Sequence, residues 1–406
     1  MLKPPDLDRH HSSEANATGP FKLGLEILIE NCPHWLEGRR VGLVSHVAAV
    51  DAKGQTSADK LHQTSGITLT ALFGPEHGYA GLAAAGELTR DEKHAGWNIP
   101  IYSLYGETRK PTAAMLDSVD TLIVEFQDLG ARPYTYVSTL RLILEAAAES
   151  EKTVIIADRP VPLPLGIDGP VLDPAFETFV GFIPSPMQYG MTQGETARWL
   201  VQALGLSVDL RVSPMQGYHR EVVRQLSWPE WVPPSPRIRC WDAACFFTCT
   251  VFGEALPSLD YGSGTMQSFQ VIGAPWLDAG RLLEWLHEAD LPGIAFEPVR
   301  YQAMTGLYAG TELNGVKLVI TDYRTFKPVS TCVTLLSGIN ELYGPTKLWD
   351  APGTRPEWFD KLFGTDTVRI ALQAGTPAPS IIASWQPALD DFQQRRKQHL
   401  LYSRNQ

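Results

Sequence analysis

Between residues 21 and 213, short apolar runs alternate with stretches whose apolar residues recur every three or four positions. The runs are Val41-Gly-Leu-Val44, Ile67-Thr-Leu-Thr-Ala-Leu-Phe73, Thr121-Leu-Ile-Val124 and Thr153-Val-Ile-Ile-Ala157. Runs this continuous in aliphatic and β-branched residues are expected of strands buried on both faces of a parallel sheet. Over 139–150, Leu140, Ile143, Leu144 and Ala147 fall on one face of a helix. Strand–helix alternation of this kind predicts a doubly wound α/β domain with a parallel sheet.

The stretch Trp228-Pro-Glu-Trp-Val-Pro-Pro-Ser-Pro236 breaks the pattern. Proline at this density disfavours helix and central strand alike, so it reads as a linker or crossing segment. Beyond it the chain shows a Gly-rich loop, Asp260-Tyr-Gly-Ser-Gly-Thr265, a helical pattern over 279–289, a strand over 316–321 and a helix over 330–343. These predict a second, smaller α/β domain. The division expected is a disordered arm over 1–20, the parallel-sheet domain over 21–247 and the smaller domain over 248–406.

Totals narrow the function classes. The 406 residues suit two or three domains of roughly 150 each. Lys plus Arg number 34 and Asp plus Glu 45, a net charge of −11, which argues against a nucleic-acid partner. No apolar run is long enough to span a bilayer, so no membrane partner is expected. The polar segment 1–20 has no apolar core of the secretory kind, which leaves the cytoplasm as the default location. Five cysteines, Cys32, Cys240, Cys245, Cys249 and Cys332, are few for this length and fit a reducing compartment. Cys240, Cys245 and Cys249 cluster, but their spacing does not match a zinc site, so those thiols are expected in packing, and no metal is called for.

Candidate chemistry follows from the strand ends. Ligands of an open parallel sheet bind outside the carboxyl ends of its strands. Four runs place polar groups there: Ser45 and His46; Glu76 and His77 within Gly74-Pro-Glu-His-Gly78; Gln127, Asp128 and Arg132, followed by Tyr134 and Tyr136; and Asp158 and Arg159. Glu76 is the candidate general acid and Asp128 a second carboxylate or its orienter. Each residue also has a structural reading: Glu76 as a helix cap, Asp128 with Arg132 as a bridge, Asp158 with Arg159 as a strand-terminal ion pair. The triplet-spaced Ser57 and Lys60 match a nucleophile motif too common to carry weight. No P-loop, dinucleotide glycine fingerprint, nucleophile elbow or H-E-x-x-H motif is present. Trp228, Trp231, Trp241 and Trp276 are candidates for a sugar-stacking platform.

At these motifs the sequence resembles the NamZ-type exo-β-N-acetylmuramidases, glycoside hydrolase family 171. The likeness runs from about residue 38 to 402. It is carried by Ala71-Leu-Phe-Gly-Pro-Glu-His-Gly78, Pro100-Ile-Tyr-Ser-Leu-Tyr-Gly106, Gln127-Asp-Leu-Gly-Ala-Arg132 with Tyr134-Thr-Tyr136, Asp158-Arg-Pro160, Gly190-Met-Thr192, Trp231-Val-Pro-Pro-Ser-Pro236 and Ile272-Gly-Ala-Pro-Trp276. The resemblance implies removal of a terminal N-acetylmuramic acid from peptidoglycan fragments, a Rossmann-like domain with a smaller α/β domain, and a cleft between them. It maps the family's glutamate onto Glu76. The loop that resembles Asn-Val-Ser-Glu-Gly-Arg-Gly-Thr reads Ser258-Leu-Asp-Tyr-Gly-Ser-Gly-Thr265 here, with Tyr261 for the glutamate and Ser263 for the arginine.

The reading is a cofactor-free glycosidase acting on a small carbohydrate, with Glu76 and Asp128 catalytic. His46, His77, Gln127, Arg132, Tyr134, Tyr136, Asp158, Arg159 and Tyr261 are expected to line the subsite. The alternative is a non-catalytic sugar-binding or sensing protein on the same scaffold, suggested by the altered 258–265 loop.

Overall fold

A computed structural model describes residues 11–12, 19–222, 224–225 and 227–402. Most of the arm expected over 1–20 lies outside the described residues.

The main sheet has eight strands: β1 (His11–Ser12), β2 (Arg40–Ser45), β3 (Thr68–Gly74), β4 (Glu92–Lys93), β5 (Pro100–Ser103), β6 (Thr121–Glu125), β7 (Thr153–Ala157) and, after the hairpin of β8 (Asp168–Val171) and β9 (Pro186–Gln188), β10 (Asp209–Ser213). Their spatial order is β1-β10-β7-β6-β2-β3-β5-β4. Every neighbouring pair is parallel except β4 with β5. The four apolar runs are therefore central strands, as their continuous burial requires. The chain winds outward through β2, β3 and β5, then returns to β6 and winds the other way through β7 and β10. The sense of winding switches between β2 and β6, the place where such sheets bind ligands.

Alternate side chains of the same strands pack on opposite faces. Val41, Leu43, Ile123 and Ile155 meet Leu25 and Leu28 of the helix Gly24–Asn31 and Leu61 of the helix Ser57–Gln63. Val44, Val124 and Ile156 belong to the larger core with the helices Tyr136–Glu149 and Gln193–Ala203. The helix expected over 139–150 thus begins earlier, at Tyr136.

The C-terminal part is a three-stranded antiparallel sheet in the order β11 (Val271–Ala274), β13 (Glu312–Ile320), β12 (Ile294–Gln302). Around it lie the helices Ala279–Glu288, Pro328–Tyr343, Pro356–Phe363 and Ala378–Arg396. One apolar core runs from Val44 to Tyr402 and joins the two parts. The Pro- and Trp-rich segment is neither helix nor strand, as its proline content requires. No helix among the described residues is long and apolar enough to cross a membrane.

Candidate active site

The site starts in the turn after β3. His77 has φ of 72°, a left-handed conformation that costs a non-glycine residue about 1 kcal/mol. The turn is held by His77 Nδ1 against the Ala83 carbonyl at 2.8 Å and by the Ala83 N–H donating to the His77 carbonyl at 3.2 Å. This fold-back brings Gly86 over Glu76, and the Gly86 N–H donates to Glu76 Oε1 at 2.8 Å. From the segment after β6, the Thr135 hydroxyl donates to Glu76 Oε2 at 2.6 Å. Both carboxylate oxygens are fixed from two different strand ends. The side chain lines a cavity of about 640 Å³.

Glu76, His77, Tyr105, Tyr134 and Thr135 form one wall of that cavity. Tyr134 is buried, its ring packs on that of Tyr136 with centroids 4.6 Å apart, and its hydroxyl lies beside the hydroxyls of Tyr136 and Ser235.

The opposite wall comes from the C-terminal half of the chain: Arg237, Glu254, Tyr261, Arg355 and Trp358, with apolar Val251, Pro257, Leu259 and Phe269 between them. Gly253 is required here, because a Cβ on it would lie 2.3 Å from Cδ1 of Tyr261. The Tyr261 hydroxyl accepts from Arg237 Nη1 at 2.7 Å. The loop that has serine at 263 therefore faces a cation contributed by another segment.

Glu254 was not among the expected site residues. Burial pushes its carboxyl above the usual range, opposed by the positive charges of Arg237 and Arg355 and a hydrogen bond from Trp358, and reinforced by the negative charge of Glu76. Its only signal in the sequence is a lone carboxylate in the apolar stretch Val251-Phe-Gly-Glu-Ala-Leu256. That stretch ends no strand, so reasoning from strand ends passes over it.

His46, Gln127, Tyr136, Asp158 and Arg159, expected to line the subsite, gather at the strand ends but do not line the cavity. Arg159 Nη1 pairs with Glu125 Oε1 at 2.8 Å, and Nη2 donates to the Val50 carbonyl at 2.9 Å, with both ion-pair partners buried. His46 Nε2 accepts from the Gln127 N–H at 3.0 Å, and Gln127 Nε2 donates to the Pro160 carbonyl. Burial drops the imidazole to about 3, so His46 is neutral. Asp158 accepts from Thr192, the Gly194 N–H and the Tyr402 hydroxyl at 2.6 to 2.8 Å, tying the helix Gln193–Ala203 to the C-terminal segment. Tyr136 donates to the Pro234 carbonyl at 2.6 Å and anchors the proline-rich segment.

Arg159 thus pairs with Glu125 rather than Asp158, and Asp128 and Arg132 depart from expectation as well. Asp128 is 2% exposed and does not line the cavity. Its carboxylate accepts from the Leu129 N–H at 2.7 Å and the Tyr189 hydroxyl at 3.4 Å, and burial raises it to about 7. Arg132 neither bridges Asp128 nor reaches the cavity. It is fully buried and donates to the carbonyls of Pro170, Ser185, Leu362 and Phe363, stitching the two halves of the chain together.

The Trp platform also dissolves into packing. Trp241 contacts Trp228 and Trp231 with ring centroids 5.8 and 5.4 Å apart, beside a void of only about 20 Å³. Trp276 lies in a separate open groove. Lys60 pairs with Asp51 at 2.7 Å and Ser57 donates to the Ala49 carbonyl, so neither serves as a nucleophile and base. Cys245 and Cys249 are buried, and Cys240 accepts from the Ala243 N–H at the start of the helix Trp241–Thr250.

Fold and site together define a two-part α/β protein with a carboxylate-bearing cavity beyond the strand ends of its parallel sheet. The chain belongs to the exo-β-N-acetylmuramidase NamZ family, whose N-terminal model matches residues 41–242 and C-terminal model residues 245–402. It is similar to the peptidoglycan β-N-acetylmuramidase NamZ of Bacillus subtilis (strain 168), 34% identical over 380 residues that cover 93% of this chain and 91% of that one. Two crystal structures of DUF1343 family proteins from Bacteroides fragilis NCTC 9343 share the fold. One has a TM-score of 0.88 at 32% identity, covering 95% of this chain and 99% of its own; the other has 0.75 at 26%, covering 95% and 100%.

Proposed function

We propose that this protein is a glycoside hydrolase that removes terminal β-linked N-acetylmuramic acid from peptidoglycan-derived fragments, with Glu76 as a catalytic carboxylate. The observation that carries the reading is the placement of Glu76: its carboxylate is pinned by Thr135 and Gly86 at the wall of a cavity large enough for a disaccharide. The family supplies the chemistry, since the B. subtilis relative is a peptidoglycan β-N-acetylmuramidase. Arg237 and Arg355 give the opposite wall positive charge, which suits the lactyl carboxylate of a muramic acid. Asp128 is read as structural, because it is sealed beneath the cavity. The acidic net charge supports a small carbohydrate partner over nucleic acid, and the five free cysteines support the cytoplasm as the location.

The test is incubation with N-acetylmuramic acid β-1,4-linked to N-acetylglucosamine, with both released sugars followed by mass spectrometry. Turnover by the wild type and its loss in Glu76→Gln are expected. Binding without turnover, unchanged in Glu76→Gln, would establish the sugar-sensing alternative instead.

A further inference from the structure

We infer that Glu254 is the proton donor of the glycosidic cleavage and that Glu76 works opposite it as the anion. The inference rests on the muramidase reading above and assigns the second carboxyl that such chemistry requires.

The two glutamates come from the two halves of the chain and line the same cavity. Their surroundings differ in kind. Glu76 receives a hydrogen bond on each oxygen, from an amide N–H and a hydroxyl. Donors aimed at both oxygens leave the carboxylate as an acceptor, the role that a proton from water requires. Glu254 follows Gly253 in the turn Val251–Glu254, among Val251, Pro257, Leu259 and the Trp358 indole. The apolar neighbours solvate a negative charge poorly, and this outweighs the Arg237 and Arg355 charges and the Trp358 indole N–H, which favour the anion, so the balance shifts towards the protonated form. The upward push on its ionisation, with Glu76 contributing, agrees with the geometry. Two carboxyls held apart in this way divide into an acid and a base, each set by its environment. No other carboxylate of the cavity competes: Asp260, the third one lining it, is occupied by the Gly262 N–H at 2.7 Å and the Tyr301 hydroxyl at 2.8 Å.

In the step assigned, the bond between the sugar's anomeric carbon and the bridging oxygen breaks with its electron pair going to oxygen. That oxygen takes the Glu254 proton and leaves as the alcohol of the remaining fragment. Water forms the new bond to the anomeric carbon, and its proton passes to Glu76. Exchange with solvent returns both carboxyls to their starting forms.

The experiment compares two substrates that differ only in leaving group: the muramic-acid-terminated disaccharide and the 4-nitrophenyl β-glycoside of N-acetylmuramic acid. A nitrophenolate leaves without protonation, so it does not need the acid. In Glu254→Gln, kcat/KM on the disaccharide is expected to fall about 10²–10⁴-fold while the aryl glycoside stays within about tenfold. The alkaline limb of the pH profile should disappear with it. Retained aryl activity also shows that the variant is folded. Glu76→Gln is expected to lose both substrates alike. Equal losses on the two substrates in Glu254→Gln, or a full disaccharide rate with its alkaline limb intact, would overturn the assignment and leave the muramidase reading standing. A wild type that hydrolyses neither substrate would remove that reading, and this one with it.

Discussion

The Thr135 hydroxyl meets Glu76 Oε2 at 2.6 Å across 59 positions of sequence. Thr135 immediately precedes the helix Tyr136–Glu149 that follows β6, while Glu76 sits in the turn after β3, so strand ends on either side of β2 fix one carboxylate. Removing the hydroxyl leaves a buried acceptor short of a donor, a change worth about 1–3 kcal/mol. Thr135→Val is therefore expected to lower kcat about 10- to 100-fold on the muramic-acid disaccharide, with KM little changed. Steady-state kinetics check it, and a rise in KM alone would count against a positioning role.

Arg237 reaches the same cavity from the proline-rich segment and donates to Tyr261. If it meets the lactyl carboxylate, Arg237→Met removes a hydrogen bond to a charged group, worth about 1.5–3 kcal/mol. KM for the muramic-acid disaccharide should rise about 10- to 100-fold, while an N-acetylglucosamine-terminated analogue is unaffected. Equal effects on both substrates would refute recognition of the carboxylate.

Arg132 supports the fold rather than the site. Its guanidinium serves four carbonyls from both halves of the chain. Arg132→Met leaves them buried and unsatisfied, and a loss of more than about 3 kcal/mol is expected in denaturant unfolding. Gly364→Ala should act on the same contact, because an added Cβ would lie 2.5 Å from Arg132 Nη2 and φ there is +71°.

Asp128 links stability to pH in a definite direction. Its folded-state ionisation at about 7 lies above the ordinary carboxyl value, so the folded protein holds this proton more tightly than the unfolded chain. The contribution is complete below about pH 4 and is lost as the pH rises towards 7, by at most about 4 kcal/mol. Asp128→Asn, which keeps an acceptor for the Leu129 N–H, should flatten the decline in Tm between pH 4.5 and 7.5. An unchanged slope in a thermal melt series would exclude Asp128 as its source.

The four apolar runs were enough to determine the central strands, because a strand buried on both faces must be apolar along its length. The alternation with helices then implied a parallel sheet and placed ligand chemistry at its carboxyl edge. That reasoning reached Glu76, His77 and Tyr134, and the loop resemblance reached Tyr261. It gave the same weight to His46, Gln127, Asp128, Tyr136, Asp158 and Arg159, which the fold uses to seal the sheet edge. A polar residue after a strand looks alike in sequence whether it faces a void or a neighbour's hydrogen-bonding group. Only packing separates the two, since it decides which groups lose water to protein partners and which keep an open side. Glu254, Arg237 and Arg355 lie 161 or more residues beyond Glu76, and nothing local marks them. They enter the cavity because the C-terminal half folds back over the strand ends, an outcome of long-range core contacts that no short stretch of the chain encodes.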